Sequence, residues 1–251
     1  MSAWNLRDER HLECETGSMP MLSHVQSLWR DLTDANNGFE EPVTIVGTDR
    51  VRCAPPGWVG VVTLLGSSVV ASPPNLVEHV KAALDGVPAS VLVDSPQVQK
   101  LLGAKQVLGP AVLFYDETEP TENAEVDGST NVFDERVQAV LRSASSTERH
   151  ECGLDSDDAI IFVACDGDDP AAIAGWTRWP HQTAHIGVLA GSGHRQAGFA
   201  RRAASQALAA ASASRLLPQW RAALTNEASI GLARSLELTE LGQQLSLELL
   251  D

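Results

Sequence analysis

The segment from His185 to Ala200 narrows the possible folds of this chain more than any other stretch. It reads HIGVLAGSGHRQAGFA and continues into a long alanine-rich run. The apolar residues before Gly191 are typical of a strand, and the alanine-rich run is typical of a helix. The start of a helix has backbone N–H groups without intrahelical partners and a partial positive charge, so it attracts phosphate. The segment therefore predicts a strand, a phosphate-binding loop and a helix in succession.

The spacing within this loop separates it from two common nucleotide-binding motifs. A Rossmann fingerprint fails because Gln196 stands at its third glycine, and a Walker loop fails because Phe199 and Ala200 stand where Lys and Ser or Thr are needed. The pattern R/Q-x-x-G-x-G/A fits Arg195 to Ala200. With this pattern the segment resembles the GNAT superfamily of acyl-CoA-dependent N-acyltransferases, in which the loop holds the coenzyme A pyrophosphate.

The resemblance extends over the last hundred-odd residues, because the predicted elements follow the order of the superfamily. Two strands joined by a turn at Asp166–Pro170 precede the loop. A helix over 200–215, a strand over 216–222, a helix that begins after Asn226 and a strand over 241–249 follow it. The resemblance implies an α/β (α+β) fold with a mixed, mostly antiparallel sheet flanked by helices.

The chain has 251 residues, enough for one large domain or two small ones. We place a boundary near residue 107, which gives an N-terminal α/β domain at 1–107 and a GNAT-like domain at 108–251. The first domain lacks the loop motif, and it is either a degenerate copy of the same fold or an unrelated cap that shapes the acceptor pocket. It includes a strand predicted at Val91–Val93, and an acidic, solvated loop is predicted at 116–127.

The resemblance implies acetyl-CoA, or another acyl-CoA, as the co-substrate. The backbone of Val188 and Ala190, on the strand before the loop, would bind the pantetheine arm. Asn226 would contact the pantetheine or act only as the N-cap of the second helix. The phosphate contacts would come from the loop and the first helical turn, namely Arg195, Gln196, Ala197, Gly198, Phe199, Ala200 and Arg201.

Two positions depart from the catalytic pattern of the superfamily. The Tyr that often protonates the departing thiolate corresponds to Ala233, so Ser229 is the candidate donor, with helix packing as its alternative role. The Glu that often acts as general base corresponds to Ala184, so the neighbouring His185 is the candidate base. Adjacent strand residues point to opposite faces, so His185 takes that place only across a bulge and is otherwise an ordinary strand histidine.

The composition limits the binding partners and the cellular compartment that we expect for this protein. A formal net charge of -15 argues against nucleic acid as a partner; it either attracts a cationic acceptor or serves solubility alone. The N-terminus has no apolar signal region and the longest apolar stretch is too short to span a bilayer, which predicts a cytoplasmic protein without membrane contact. No metal site is expected. The cysteines lack C-x-x-C spacing and indicate a reducing compartment, and they are Cys14, Cys53, Cys152 and Cys165.

These patterns predict an N-acetyltransferase that transfers acetyl from acetyl-CoA to a primary amine of a small molecule or peptide. A non-catalytic acyl-CoA-binding or regulatory module is the alternative, because it would keep the loop without the catalytic residues. Dimers are common in the superfamily, so a homodimer is one expected assembly.

Overall fold

The computed structural model describes residues 21–116 and 128–249, and within these ranges it contains nine strands and seven α-helices. The strands are β1 (Val43–Gly47), β2 (Val59–Leu64), β3 (Ser67–Ser72), β4 (Ala104–Tyr115), β5 (Ile160–Asp166), β6 (Asp169–Trp179), β7 (Thr183–Ala190), β8 (Leu217–Ala223) and β9 (Thr239–Leu249). The helices are α1 (Met21–Thr33), α2 (Val77–Leu84), α3 (Ser95–Leu102), α4 (Glu135–Ser143), α5 (Ser146–Cys152), α6 (Phe199–Ala213) and α7 (Glu227–Ser235).

The strands form a single sheet in the order β1–β3–β2–β9–β4–β8–β7–β6–β5. Of its neighbouring pairs, β1–β3 and β7–β8 are parallel and the others are antiparallel. This confirms the predicted mixed, mostly antiparallel sheet with flanking helices.

Helices cover both faces of this sheet. On one face α6 packs closely, because the residues it turns toward β5, β6 and β7 are mostly alanines with no exposed surface. On the other face α4 and α5 cover β5–β7, and α1 packs on β2 and β3. No helix within residues 21–116 and 128–249 has both the length and the apolar character needed to cross a bilayer.

The predicted strand at Val91–Val93 is wrong, because these residues lie in a 3₁₀ helix, Ala89–Val93, that buries Leu92 completely. The helix α3 directly follows, and its N-cap Asp94 accepts a hydrogen bond from the Gln97 N–H at 3.2 Å. Pro88 and Pro96 flank this short apolar run, and a proline cannot donate to a sheet ladder. The run therefore folds as helical turns.

The boundary predicted near residue 107 lies inside β4, and the sheet continues across it. Strand β9, from the C-terminal end, pairs with β2 on one side and with β4 on the other. The division at 107 and the relation of the first domain to the GNAT fold stay predictions. Cys14 and all of the predicted acidic loop except Asp116 lie outside the described residues.

Candidate functional site

A gap opens in the sheet between β7 and β8. The two strands pair in parallel from Thr183 with Leu217 to Ile186 with Trp220, and the pairing then stops. Beyond this point β7 continues along β6, and β8 continues along β4. The two strands therefore separate toward their carboxyl ends, and we call the opening the β7–β8 gap.

Backbone donors of β7 point into this gap. The Gly191 N–H donates to the Ala171 carbonyl of β6 at 2.8 Å. This bond shows which N–H groups of β7 point toward β6. Alternate N–H groups of a strand point to opposite neighbours, so those of Val188 and Ala190 point away from β6. They therefore face the edge from which β8 has separated.

The loop after β7 presents a run of unpaired N–H groups. Gly198 is the N-cap of α6 at φ +85°, and Gln196 also has a positive φ of +62°. The first N–H of this helix to find a backbone acceptor belongs to Arg202, which donates to the Gly198 carbonyl at 3.1 Å. Within the described residues, the N–H groups of residues 195–201 have no hydrogen-bond partner. This loop can therefore bind an anion through its backbone.

The arginines of the loop interact mainly with neighbouring elements. Arg195 forms an ion pair with Glu148 of α5 at 2.6 Å. Arg201 donates to the Ser235 carbonyl at 3.3 Å, and Arg202 donates to the Cys165 carbonyl and lies 5.2 Å from the centre of the Phe199 ring. These contacts hold the loop in place and keep its positive charge beside the start of α6.

Asn226 and Ser229 lie at the start of α7. The Asn226 side chain accepts a hydrogen bond from the Ser229 N–H at 3.1 Å, so it is the N-cap of this helix. The Ser229 hydroxyl accepts from the Trp220 indole N–H at 3.0 Å. Trp220 belongs to the last pair before the β7–β8 gap, so the Ser229 hydroxyl lies close to the mouth of the gap.

His185 lies on the face of the sheet opposite to Ala184. The register of β6 with β7 runs without a shift from Thr183 to Ala190, so β7 contains no bulge. Ala184 is fully buried in the core beneath α6. His185 therefore does not take the place of the expected Glu.

The His185 ring is held by two neighbours. It stacks on Trp179 with ring centres 4.2 Å apart, and its Nδ1 lies 2.5 Å from Oε1 of the fully buried Gln219. Burial, and then the positive charge of Arg221, lowers the pKa of His185 to about 3, against the opposing effect of the Gln219 hydrogen bond. The ring is neutral near pH 7. An Nδ1–H that donates to Gln219 leaves a lone pair on Nε2.

Gln219 and Arg221 are not among the site residues predicted from the sequence. Strand alternation places both on one face of β8, but only the register of Gln219 with His185 shows that they share the His185 face. The other predicted positions lie as described around the β7–β8 gap and the start of α6. Their contacts with a coenzyme stay predictions. Within the described residues no cluster of His, Cys, Asp or Glu is arranged to hold a metal ion.

Together these features define an α/β protein in which a helix start with unpaired N–H groups lies beside a gap in the sheet. Residues 130–237 match the family model described as acetyltransferase (GNAT) family. The C-terminal part of the chain is therefore similar to GNAT acetyltransferases, as the sequence predicts. No curated protein sequence matches the chain.

Several solved structures are also similar to the chain. A putative GNAT-family acetyltransferase from Novosphingobium aromaticivorans has 18% identity and a TM-score of 0.45, over 57% of this chain and 65% of that one. A GNAT-family acetyltransferase from Colwellia psychrerythraea has 14% identity and a TM-score of 0.44, over 61% of each chain. A GCN5-related N-acetyltransferase-like protein from Streptococcus suis has 17% identity and a TM-score of 0.46, over 90% of this chain and 99% of that one. The first two matches span less than two thirds of those relatives.

Proposed function

We propose that this protein is an acyl-CoA-dependent N-acyltransferase that transfers an acetyl group to a primary amine of a small molecule or peptide. The observation that carries the proposal is the run of unpaired N–H groups at 195–201, next to a gap in the sheet. A helix start that offers several free N–H groups suits a pyrophosphate. Added side-chain atoms would crowd this backbone, and the small residues Ala197, Gly198 and Ala200 leave it accessible.

The proposed coenzyme site consists of the loop after β7 and the β7–β8 gap. Residues 195–201 would bind the phosphates, and the N–H groups of Val188 and Ala190 would bind the pantetheine arm. When bound, acyl-CoA supplies an activated acyl carbon, to which the amine nitrogen bonds as the thioester C–S bond breaks. The sheet gap would orient the two reactants, which is itself a large part of the rate enhancement of such transfers.

The proton lost by the amine and the proton gained by the thiolate need separate partners. His185 is the candidate acceptor, because its Nε2 lone pair is free when Nδ1–H donates to Gln219. Its lowered pKa makes it a weak base, suited to an amine that becomes acidic only as its nitrogen bonds to the acyl carbon. Ser229 is the candidate donor, since its hydroxyl accepts from Trp220 and keeps its own proton available.

The first test is calorimetric titration of the protein with acetyl-CoA, beside the variant Gly198→Glu. This change places a carboxylate at the phosphate loop and a side chain at φ +85°, so we expect the binding of the wild type to be lost. The matched control is Gly66→Glu in the β2–β3 turn, because Gly66 has a φ of +91° and equally open surroundings. The control should bind like the wild type.

The outcomes separate the two functions considered. Binding that is lost only in Gly198→Glu, together with thiol release in the presence of an amine, supports the enzyme. The same binding without turnover of any amine supports the non-catalytic acyl-CoA-binding module. A folded wild type that does not bind acetyl-CoA would contradict both.

A further inference from the structure

Arg221 is a cation on the His185 face of the sheet, at the mouth of the β7–β8 gap. It follows Trp220, the last residue of β8 that pairs with β7. Strand alternation places its side chain on the same face as Gln219, which is hydrogen-bonded to His185. Its charge lowers the pKa of His185, so the two side chains are close enough to interact.

The Arg221 side chain is held in place by Gln244 and Trp179. Its Nη1 donates to Oε1 of Gln244 at 3.0 Å, and Gln244 is buried and donates in turn to the Cys53 carbonyl. The guanidinium carbon lies 5.9 Å from the centre of the Trp179 ring, the ring that stacks on His185. The residue as a whole keeps exposed surface, while burial of the guanidinium among these neighbours lowers the pKa of Arg221 from its usual value. These contacts fix its direction and leave most of its donors free.

No carboxylate balances this guanidinium. Within the residues that the structure describes, no Asp or Glu oxygen lies within 4.0 Å of Arg221. The titratable neighbours do not supply a negative charge either, because burial raises the pKa of Tyr115 and raises that of the Cys53 thiol to about 12. His185 is neutral as well. A chain with a net charge of -15 thus keeps an unbalanced cation beside the proposed reaction site.

We propose that the acceptor carries a carboxylate in addition to its amine, and that Arg221 binds this carboxylate; the inference rests on the proposed function. An arginine presents a planar set of five donors that matches the two oxygens of a carboxylate. The Gln244 contact uses one of these donors. The substrate class is therefore an amino acid or a similar small amino carboxylate, and not the purely cationic amine that the overall charge favours.

The test compares two pools of amines as acceptors, with thiol release from acetyl-CoA as the readout. One pool holds α-, β- and γ-amino acids, and the other holds the same compounds as carboxamides. We expect kcat/KM to be higher for the acids by about 10- to 100-fold, the range of a charge-assisted hydrogen-bonded pair. Arg221→Gln should remove this preference by lowering the rate with acids, and should leave the acetyl-CoA Kd unchanged.

The control variant is Arg178→Gln, which removes one exposed positive charge from β6 on the opposite face of the sheet. It should keep the preference for acids, and circular dichroism should show both variants folded. Three results would overturn the inference: amides used as well as acids, an equal effect of Arg221→Gln on both pools, or acetyl-CoA binding without turnover of any acid. A wild type that does not bind acetyl-CoA removes the proposed function first, and the calorimetric titration shows this before any amine is added.

Discussion

The side chain of Gln219 connects His185 to the buried layer under α1. Its Oε1 contacts His185, and its strand neighbour in the sheet is Tyr115, whose hydroxyl accepts from the Trp29 indole N–H at 2.7 Å. Gln219 has no exposed surface, and its Nε2 is buried without a hydrogen-bond partner among the described residues, so the contact of its Oε1 is the one that holds His185. His185 is thereby held in one orientation before any ligand binds, which is a requirement for efficient proton transfer.

The environment of His185 makes the stability of the protein depend on pH. The folded pKa is lowered to about 3, whereas an unfolded histidine titrates at about 6.5. Between these values the unfolded state binds a proton that the folded state does not, so this residue lowers the free energy of unfolding as the pH falls. His185→Gln removes the effect. We expect its urea midpoint to fall less than that of the wild type between pH 7 and pH 5.

Urea titrations at the two pH values measure this difference directly. The control is His79→Gln, because His79 lies on α2, away from this face of the β7–β8 region. It should retain the pH dependence of the wild type. Equal losses of stability for His185→Gln and the wild type would show that the histidine ring is open to water and titrates normally.

At the scale of elements, the close contact between α5 and β7 depends on one glycine. A Cβ at Gly187 would lie 1.9 Å from the Cys152 carbonyl oxygen at the end of α5. Gly187→Ala therefore has to push α5 away from the strand that borders the gap. We expect a loss of about 1–3 kcal/mol in the free energy of unfolding, the usual cost of overpacking.

Denaturant titration checks this expectation, with Gly193→Ala as the matched control. Gly193 lies six residues further along, in the loop between β7 and α6, and a Cβ there would meet nothing within 4 Å. The control should be as stable as the wild type or slightly more stable. If Gly187→Ala also leaves stability unchanged, α5 is free to shift and does not define the edge of the site.

The elements differ in how far the sequence determines them. The strand, loop and helix around Gly198 were predictable because apolar periodicity, glycine spacing and alanine content agree locally. The helix α5 was missed although Ser145 and Glu148 form a capping box, a readable signal for a helix start. The relation of Arg221 to His185 was not predictable, because it depends on the register between β7 and β8, which are joined through α6. Register is a tertiary property, and a shift of one residue would move every side chain of the strand to the other face of the sheet.

At the scale of the whole molecule, β9 joins the two halves of the sheet. Leu245 and Leu247 of β9 are buried against Val59 and Val61 of β2, in the core that α2 and α3 cover. The other edge of β9 pairs with β4, which continues to β8 and the gap. Strand β2 therefore shares hydrogen bonds with β9, and α2 and α3 share its core.

This arrangement predicts that the described part of the chain unfolds as one cooperative unit. Leu247→Ala removes a fully buried side chain at the junction and should cost about 2–5 kcal/mol. Because β9 supports both halves, we expect the amides of β2 and those of β7 to lose the same amount of protection against hydrogen exchange. Val98→Ala in α3 removes a buried side chain of the first half only, and in one cooperative unit it too should lower the protection of β7. If Leu247→Ala lowers the protection of β2 but not that of β7, the two halves are independent domains and the predicted boundary near residue 107 is supported. If both fall together, the proposed coenzyme site depends on the N-terminal half for its stability, since β4 and β9 hold β8 in place beside the β7–β8 gap.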